Sequence, residues 1–318
     1  LAFRQIENRI HDVLETYANT HSKEASNADK TTNYYELARN SLIKNLELSN
    51  DFAILPSGYG TTAAIKHFQE LLGLYIPPAT KKRFSFKIDK KTAPLVIVGP
   101  YEHHSNEVSF REALCEVQRI NLDKQGLVDL NHLKEVLEKN KHREIIASFT
   151  IASNVTGIIT PYEELSKILR TYNAIVCFDA AASSPYMNIP SHLYDAMFMS
   201  PHKLLGGPAS CGLLIIRKSL VDTSIAPTFA GGGTVLYVNK TSQTYQNDIE
   251  TRETAGTPPI LQFIRASLAY QLRNEIGFKF IKKQKDELKE YFISELRKIP
   301  NCEIYGNQEA SNIGIISF

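Results

Sequence analysis

The stretch that decides the fold is SPHKLLGGPASCGLLIIRK, residues 200–218. It leads from the end of one short apolar segment, through a turn rich in glycine, into a second apolar segment. Segments of this length that are apolar throughout are typical of strands buried on both faces of a sheet. Lys203 stands at the start of the turn, directly after a histidine. We therefore expect Lys203 in a tight loop where two buried strands meet, which is an unusual place for a lysine.

Similar apolar runs recur along the chain and alternate with helical patterns. The runs are FAILPSG (52–58), PLVIVGP (94–100), REIIASFTIAS (143–153), AIVCFDAA (174–181), DAMFMSPHK (195–203) and CGLLIIRK (211–218). The helical patterns are TTAAIKHFQELLGL (61–74), NEVSFREALCEV (106–117) and TPYEELSKILRTY (160–172). In TPYEELSKILRTY, Thr160 is the expected N-cap and Pro161 the first helical residue. A long, heavily charged helix is expected from Leu261 to about Lys298. This alternation predicts an α/β fold with a mainly parallel central sheet flanked by helices.

The overall composition argues against several classes of function. The 318 residues suggest about two domains. Lys plus Arg number 36 and Asp plus Glu 34, a net charge of +2, which is too balanced to indicate a nucleic-acid or membrane partner. The four cysteines form no CxxC pair, so neither a metal site nor a disulfide framework is indicated. No apolar run reaches the length of a membrane span, and we expect a cytoplasmic protein.

Polar residues follow the predicted strands at the edge where open α/β sheets bind ligands. After the first strand, Thr61 and Thr62 stand at the start of a helix, where N–H groups and hydroxyls form either an anion site or a plain N-cap. After the second, His103 and His104 are adjacent. Adjacent histidines rarely converge on one metal ion, and the alternatives are a surface pair or a ring that stacks on an aromatic ligand.

The remaining three strand ends are also polar. Asn154 follows the third strand and either bonds a ligand oxygen or only forms a turn. Asp179 follows four apolar residues, where a carboxylate is costly unless a cation pairs with it. A helix N-cap or a structural ion pair would also explain Asp179. The fifth strand is followed by Ser200, His202 and Lys203.

One ligand would use all of these groups. A lysine amine forms a Schiff base with an aldehyde cofactor, and a buried aspartate keeps a pyridine nitrogen protonated. A helix N-terminus with neighbouring hydroxyls holds a phosphate. These are the requirements of pyridoxal 5′-phosphate, whose ring is an electron sink for carbanions. A merely structural or surface role for Lys203 is less favoured, because five strand ends agree.

The same motifs resemble those of the class V aminotransferase family, one of the fold-type I pyridoxal phosphate enzymes. The motifs are GYGTTAAI, EHHSN, ASNVTG, FDAAA, SPHKLLGGPASCG, GGGTV and RETAGTPPI. They stand in the family's order from about residue 50 to residue 265. The motif EHHSN is most similar to the branch of group II cysteine desulfurases and selenocysteine lyase-like proteins.

The resemblance implies a role for each residue. Lys203 would form the Schiff base, Asp179 would face the pyridine nitrogen and His103 would stack on the ring, so that these three take part in catalysis. Asn154 would bond the phenolic oxygen of the cofactor. Thr257 would reach the phosphate of the neighbouring subunit, which implies a homodimer. Within the chain, the phosphate would be held by Thr61, Thr62, Ser200 and His202.

The resemblance also implies a division into segments. These are an N-terminal helical segment (1–45), a cofactor-binding large domain (46–265), long connecting helices (266–298) and the start of a truncated C-terminal small domain (299–318), where SNIGIISF (311–318) reads as a strand. The family carries its carboxylate-binding arginine, and desulfurases their nucleophilic cysteine, in that small domain. Cys211 matches a small loop residue instead. Ala182 departs from the family, which commonly has Gln or His near the phenolic oxygen.

The function implied is that of a pyridoxal phosphate enzyme acting on an amino acid, most similar to a cysteine desulfurase or selenocysteine lyase. Such an enzyme would have a sulfur-acceptor protein as a further partner. Two alternatives remain open, a true aminotransferase and a cofactor-binding homologue that has lost catalysis. The intact lysine and aspartate argue against the second alternative.

Overall fold

The computed structural model describes residues 2–20, 24–84 and 92–318. The helices are α1 (Ala2–Leu14), α2 (Ser26–Asn45), α3 (Thr61–Leu71), α4 (Pro78–Phe84), α5 (His104–Arg111), α6 (Leu130–Asn140), α7 (Tyr162–Arg170), α8 (Ile249–Arg252), α9 (Ile260–Ile276) and α10 (Phe278–Leu296). The strands are β1 (Phe52–Pro56), β2 (Leu95–Val98), β3 (Glu116–Arg119), β4 (Ile145–Thr150), β5 (Ile175–Asp179), β6 (Ala196–Met199), β7 (Leu213–Arg217), β8 (Val235–Val238) and β9 (Gln243–Tyr245). All six strands predicted from the sequence are confirmed.

Backbone contacts divide the chain into two compact units. The first unit consists of Leu1–Tyr75, Ile189–Ser191 and Asp195–Glu275. The second consists of Ile76–Asn188, His192–Tyr194 and Ile276–Phe318. The segments predicted from the sequence were defined by the family resemblance and not by backbone contacts, so their boundaries stay a prediction. In the described part of the chain, no helix is both long and apolar enough to cross a bilayer.

The first unit contains three strands in the order β1-β7-β6, with antiparallel neighbours. Apolar residues fill them, and those of β6 are all buried. Helix α3 packs on β6 and β7 because Ala64, Ile65 and Phe68 recur at helical spacing and are buried. The ring of Phe68 meets that of Phe198 edge to face, with centroids 5.3 Å apart. This packing fixes the start of α3 near the end of β6.

The second unit contains four strands in the order β5-β4-β2-β3, all parallel to their neighbours. Strands β2 and β4 are buried along their whole length, as expected of parallel strands covered on both faces. In register, Val98 lies opposite Ser148 and Thr150 lies opposite Asp179. The carboxyl ends of β2, β4 and β5 therefore meet at one edge of this sheet.

The predicted helix at 106–117 is wrong in its second half. Helix α5 ends at Arg111, and Glu116–Arg119 form β3, which pairs with β2 from Leu95 to Val98. The segment is polar and partly exposed, which suits an edge strand better than a core strand. Here strand pairing overrides the local helical pattern.

Three smaller expectations also need correction. The helix predicted to run from 261 to 298 is two helices, separated at Gly277, whose φ of 86° favours glycine. Helix α7 has Pro161 rather than Thr160 as its N-cap, since the amide of Leu165 bonds the carbonyl of Pro161 at 2.9 Å. SNIGIISF is not a strand: Asn312 forms an isolated bridge with Ile158, and the carbonyl of Ser317 accepts the N–H of Tyr305 at 2.9 Å.

Candidate active site

In the first unit, the start of α3 and the end of β6 form a cluster of hydrogen-bond donors. The backbone N–H of Thr61 donates to Ser200 Oγ at 2.9 Å, and the hydroxyls of the two residues are also 2.9 Å apart. Both side chains are buried. Ser200 directly follows β6, so the strand end delivers its hydroxyl to the helix N-terminus, where the N–H groups and the helix dipole favour an anion. We call Thr61, Ser200 and His202 the donor cluster.

Glycines allow this close approach. A Cβ added to Gly60 would lie 2.8 Å from Cε1 of His202 and 3.0 Å from Oγ of Ser200. A Cβ on Gly212 would lie 2.5 Å from the carbonyl oxygens of Gly60 and Ser57. The ring of His202 is oriented by its Nδ1, which lies 2.9 Å from the carbonyl oxygen of Tyr59. Only residues without a Cβ at these points let the loop, the helix start and the imidazole come together.

Lys203 lies in a loop after a buried strand, as the sequence predicts. It ends a short 3-10 helix, Pro201–Lys203, and its N–H donates to the carbonyl of Ser200 at 3.0 Å. The turn that follows needs Gly207, because a Cβ there would lie 1.9 Å from the carbonyl oxygen of Pro201. The side chain of Lys203 is exposed, and its amine forms no hydrogen bond or ion pair with a residue in the described ranges. The amine is therefore accessible to a ligand.

A cleft of about 740 Å³ lies beside the donor cluster within the first unit. Its lining includes Ser57, Tyr59, Cys211 and Thr257. Thr257 is exposed, so a ligand can reach its hydroxyl. Cys211 is buried, and burial raises the pKa of its thiol to about 12. The thiol of Cys211 is therefore protonated at neutral pH and is a poor nucleophile, in line with its match to a small loop residue.

In the second unit, Asp179 ends β5 and is only 2% exposed. Its Oδ1 accepts the N–H of Ala181 at 2.8 Å, so the carboxylate caps the turn that follows the strand. Its backbone carbonyl accepts the N–H of Ile151 at 2.9 Å. Asp179 thus caps a turn and not a helix, so the helix N-cap alternative is not borne out. A cationic partner would further compensate its buried charge.

The other two predicted residues of the second unit are exposed. His103 is the N-cap of α5, and its Nδ1 accepts the N–H of Ser105 at 3.2 Å. The rings of His103 and His104 are tilted, with centroids 5.9 Å apart, and the described residues contain no group of three His, Cys, Asp or Glu side chains that could hold a metal. Asn154 lies in the turn after β4.

Glu102 is a buried acid to which the sequence reasoning gave no role. It follows β2 by four residues, and its Oε1 accepts the N–H groups of Gly99 and Thr150, at 3.2 and 2.9 Å. Its Oε2 accepts from Asn106 at 2.5 Å. The pKa of Glu102 is raised to about 8, chiefly by burial and to a smaller extent by the charge of Asp179, while these hydrogen bonds lower it. The available signal was an acid within EHHSN, directly after an apolar run.

Comparison with known proteins decides the family. The sequence profile described as "Aminotransferase class-V" matches residues 3–318. The chain belongs to the class V aminotransferase family. The resemblance drawn from the sequence motifs is thereby confirmed, and the family together with its relatives indicates a pyridoxal phosphate-dependent enzyme.

Its relatives in sequence carry the name cysteine desulfurase. A probable cysteine desulfurase of Streptomyces coelicolor is 28% identical over 99% of this chain and 73% of its own length. The cysteine desulfurase of Haloferax volcanii is 28% identical over 70% of this chain, and a probable cysteine desulfurase of Staphylococcus epidermidis is 29% identical over 70%. The matched regions are 52% and 54% of those two proteins, so the chain spans about half their length.

Solved structures confirm the fold class. The apo cysteine desulfurase of Thermococcus onnurineus superposes with a TM-score of 0.77 at 23% identity, over 97% of this chain and 72% of that one. The cysteine desulfurase of Escherichia coli gives a TM-score of 0.75 at 21% identity, over 96% of this chain and 74% of the other. This class V family member therefore has the fold-type I architecture that the motifs predict.

Proposed function

We propose that this class V family member binds pyridoxal 5′-phosphate and uses it on an amino acid, as a cysteine desulfurase does. The observation that carries the proposal is the donor cluster of Thr61, Ser200 and His202 at the start of α3. It offers a helix N-terminus, two hydroxyls and an imidazole at a glycine-lined point. These are the groups that a phosphate dianion binds.

The rest of the phosphate site follows from neighbouring residues. Thr62 is exposed on the first turn of α3, next to the donor cluster. The Thr61 N–H and the Ser200 hydroxyl would donate to a bound phosphate instead of bonding each other, because a charged oxygen is the stronger acceptor. With Nδ1–H of His202 facing the carbonyl oxygen of Tyr59, Nε2 would donate to a phosphate oxygen when the ring carries a hydrogen on both nitrogens. This part of the cofactor would therefore be held by the first unit.

Lys203 and Asp179 would supply the chemical groups. Lys203, exposed after β6, would hold the cofactor through its amine and, once the substrate amine has displaced it, would carry a proton to or from the substrate. Asp179, buried at the end of β5, would keep the pyridine nitrogen protonated. His103 would stack on the ring and Asn154 would bond its phenolic oxygen, and both are exposed and thus accessible. When bound, the cofactor supplies an electron sink for charge developing at the substrate Cα.

Three further proposals concern partners and location. We infer a homodimer in which Thr257 reaches the phosphate of the neighbouring subunit. The β8–β9 hairpin exposes three apolar residues that suit contact with a second copy, Leu236, Tyr237 and Val238. A sulfur-acceptor protein would receive the product of a desulfurase. The four free cysteines suit a reducing, cytoplasmic location.

The test is to add pyridoxal phosphate to the purified apoprotein and to record the visible absorbance and the products formed from cysteine. We expect a visible band that the Lys203→Ala variant lacks. The Lys139→Ala variant, which removes an exposed lysine of α6, should keep it. With a dithiol present as the two-electron reductant, alanine and sulfide formed in equal amounts support a desulfurase, whereas amino-group transfer to a keto acid supports an aminotransferase. A chain that gives no band with the cofactor would refute the proposal.

A further inference from the structure

A network of buried polar side chains surrounds Glu102 in the second unit. Ser148 Oγ donates to Asn106 Oδ1 at 2.6 Å, and Asn106 Nδ2 donates to Glu102 Oε2 at 2.5 Å. Asn106 and Ser148 are fully buried and Glu102 is 9% exposed. Polar groups buried in this way need hydrogen-bond partners inside the protein, and a fully bonded network holds the elements that it connects in one arrangement.

The carboxylate of Glu102 connects three elements at the carboxyl edge of the sheet. Its Oε1 accepts an N–H just beyond the end of β2, from Gly99, and another from Thr150 at the end of β4. Oε2 accepts from α5, through Asn106. Gly99 must be glycine, because a Cβ there would lie 2.6 Å from Oε1 of Glu102. Glu102 thereby fixes the segment that carries His103 relative to β4.

Thr150 connects Glu102 to the backbone of Asp179, which is a second buried acid. While its N–H donates to Glu102, its hydroxyl lies 3.4 Å from the backbone carbonyl of Asp179, which is its partner in the β4–β5 register. The charge of the Asp179 carboxylate raises the pKa of Glu102, because two buried carboxylates disfavour each other's ionised form. Among the described residues, Asp179 is the one charged group whose field shifts the Glu102 carboxyl, since the other groups that face it, Gly99, Asn106 and Thr150, are neutral.

We propose that Glu102 is a positioning residue for His103, and that Glu102 gains or loses its proton in response to the charge at Asp179. This inference rests on the proposed function, in which Asp179 faces the cationic nitrogen of the cofactor. Once that cation pairs with Asp179, the repulsion of Glu102 by Asp179 is cancelled. Glu102 then ionises more readily, and its carboxylate accepts the three N–H groups already aimed at it.

The sign of the pH effect follows from the direction of the shift. The pKa of Glu102 in the folded protein, about 8, is above its ordinary value of 4.5. Between pH 4.5 and about pH 8 the folded protein binds more protons than the unfolded chain. The free energy of unfolding is therefore greatest at low pH and falls as the pH rises through about 8. Because Gln cannot ionise, Glu102→Gln removes this fall. Asp179→Asn removes the repulsion, so the fall should end at a lower pH.

The experiment measures unfolding of the apoprotein from about pH 5 to about pH 9 for the wild type, Glu102→Gln, Asp179→Asn and a control. The control is Glu107→Gln, which changes a second buried glutamate of α5, paired with Arg111 and Arg119 instead. We expect the unfolding constant of the wild type to rise relative to that of Glu102→Gln by up to about tenfold per pH unit below about pH 8. In Asp179→Asn, the pH range over which the unfolding constant rises should be narrower than in the wild type. In Glu107→Gln, this pH range should be the same as in the wild type.

A second arm measures cofactor affinity over the same pH range. Proton release on binding predicts that affinity rises with pH in the wild type by up to about tenfold per unit more than in Glu102→Gln. The inference would be overturned if cofactor affinity depended on pH equally in the wild type and in Glu102→Gln. It would also be overturned if Asp179→Asn kept the pH dependence of the wild type. Failure of every variant to bind the cofactor would refute the proposed function instead, while the apoprotein arm still decides the link between Glu102 and Asp179.

Discussion

Replacing Ser200 with Ala tests the donor cluster directly. The hydroxyl of Ser200 accepts the first N–H of α3 and bonds the hydroxyl of Thr61, both at 2.9 Å and both buried. Loss of a helix N-terminal acceptor costs about 0.5–2 kcal/mol, and a buried donor left without a partner costs about 1–3 kcal/mol. These overlap in one interaction, so we expect the apoprotein to lose about 1–3 kcal/mol, seen as a melting midpoint lower by several degrees.

The cofactor should be affected more strongly than the fold. A hydrogen bond to a charged group contributes about 1.5–3 kcal/mol, so affinity for pyridoxal phosphate should fall roughly ten- to hundredfold in Ser200→Ala. The affinity is measured by absorbance titration, with free phosphate as a competitor. Ser200→Thr keeps the hydroxyl and should recover most of the loss, whereas the exposed Ser219→Ala is the neutral control. An unchanged affinity in a destabilised Ser200→Ala would show that the hydroxyl only caps the helix.

Three other substitutions separate parts of the account. Gly60→Ala should push the histidine ring of the donor cluster aside and weaken cofactor binding at least tenfold, whereas Gly232→Ala, with no heavy atom within 4 Å of the added Cβ, should bind normally; equal affinities would contradict the close approach. Cys211→Ser should leave sulfide release unchanged, because the thiol is buried with a pKa raised to about 12, and a dead variant would make that cysteine the nucleophile. Mixing Thr257→Ala chains with Lys203→Ala chains should restore some complete sites if Thr257 acts across a dimer, and recovery of none would favour a site built within one chain.

The sequence predicted the buried strands well because their signal is local. Runs such as IVCF and LLII are apolar throughout, so burial on both faces can be predicted without knowing which strands pair. Glu116–Arg119 had no such signal, since an edge strand that is polar and partly exposed depends on pairing with β2. The break at Gly277 was visible as a glycine but was not read as the end of a helix, because helices tolerate single glycines at a modest cost.

The sequence indicated individual candidate residues for the site but not the contacts between them. Thr61 and Ser200 were selected for their positions at a helix start and a strand end, and the structure places them 2.9 Å apart. Glu102 has no role in the prediction from sequence, because no local pattern shows whether an acid beside two histidines faces water or the interior. Only the fold shows that its carboxylate turns inward and accepts N–H groups beyond β2 and at the end of β4. Long-range hydrogen bonds of this kind leave no periodic pattern in the sequence.

The central claim is that Lys203 carries the cofactor, and reductive trapping tests it most directly. The protein is loaded with pyridoxal phosphate, treated with borohydride to make the lysine bond permanent, digested, and mapped by mass spectrometry. The account predicts one modified peptide, containing Lys203, and no such peptide from Lys203→Ala. A label on a different lysine, or equal labelling of several exposed lysines, would contradict it.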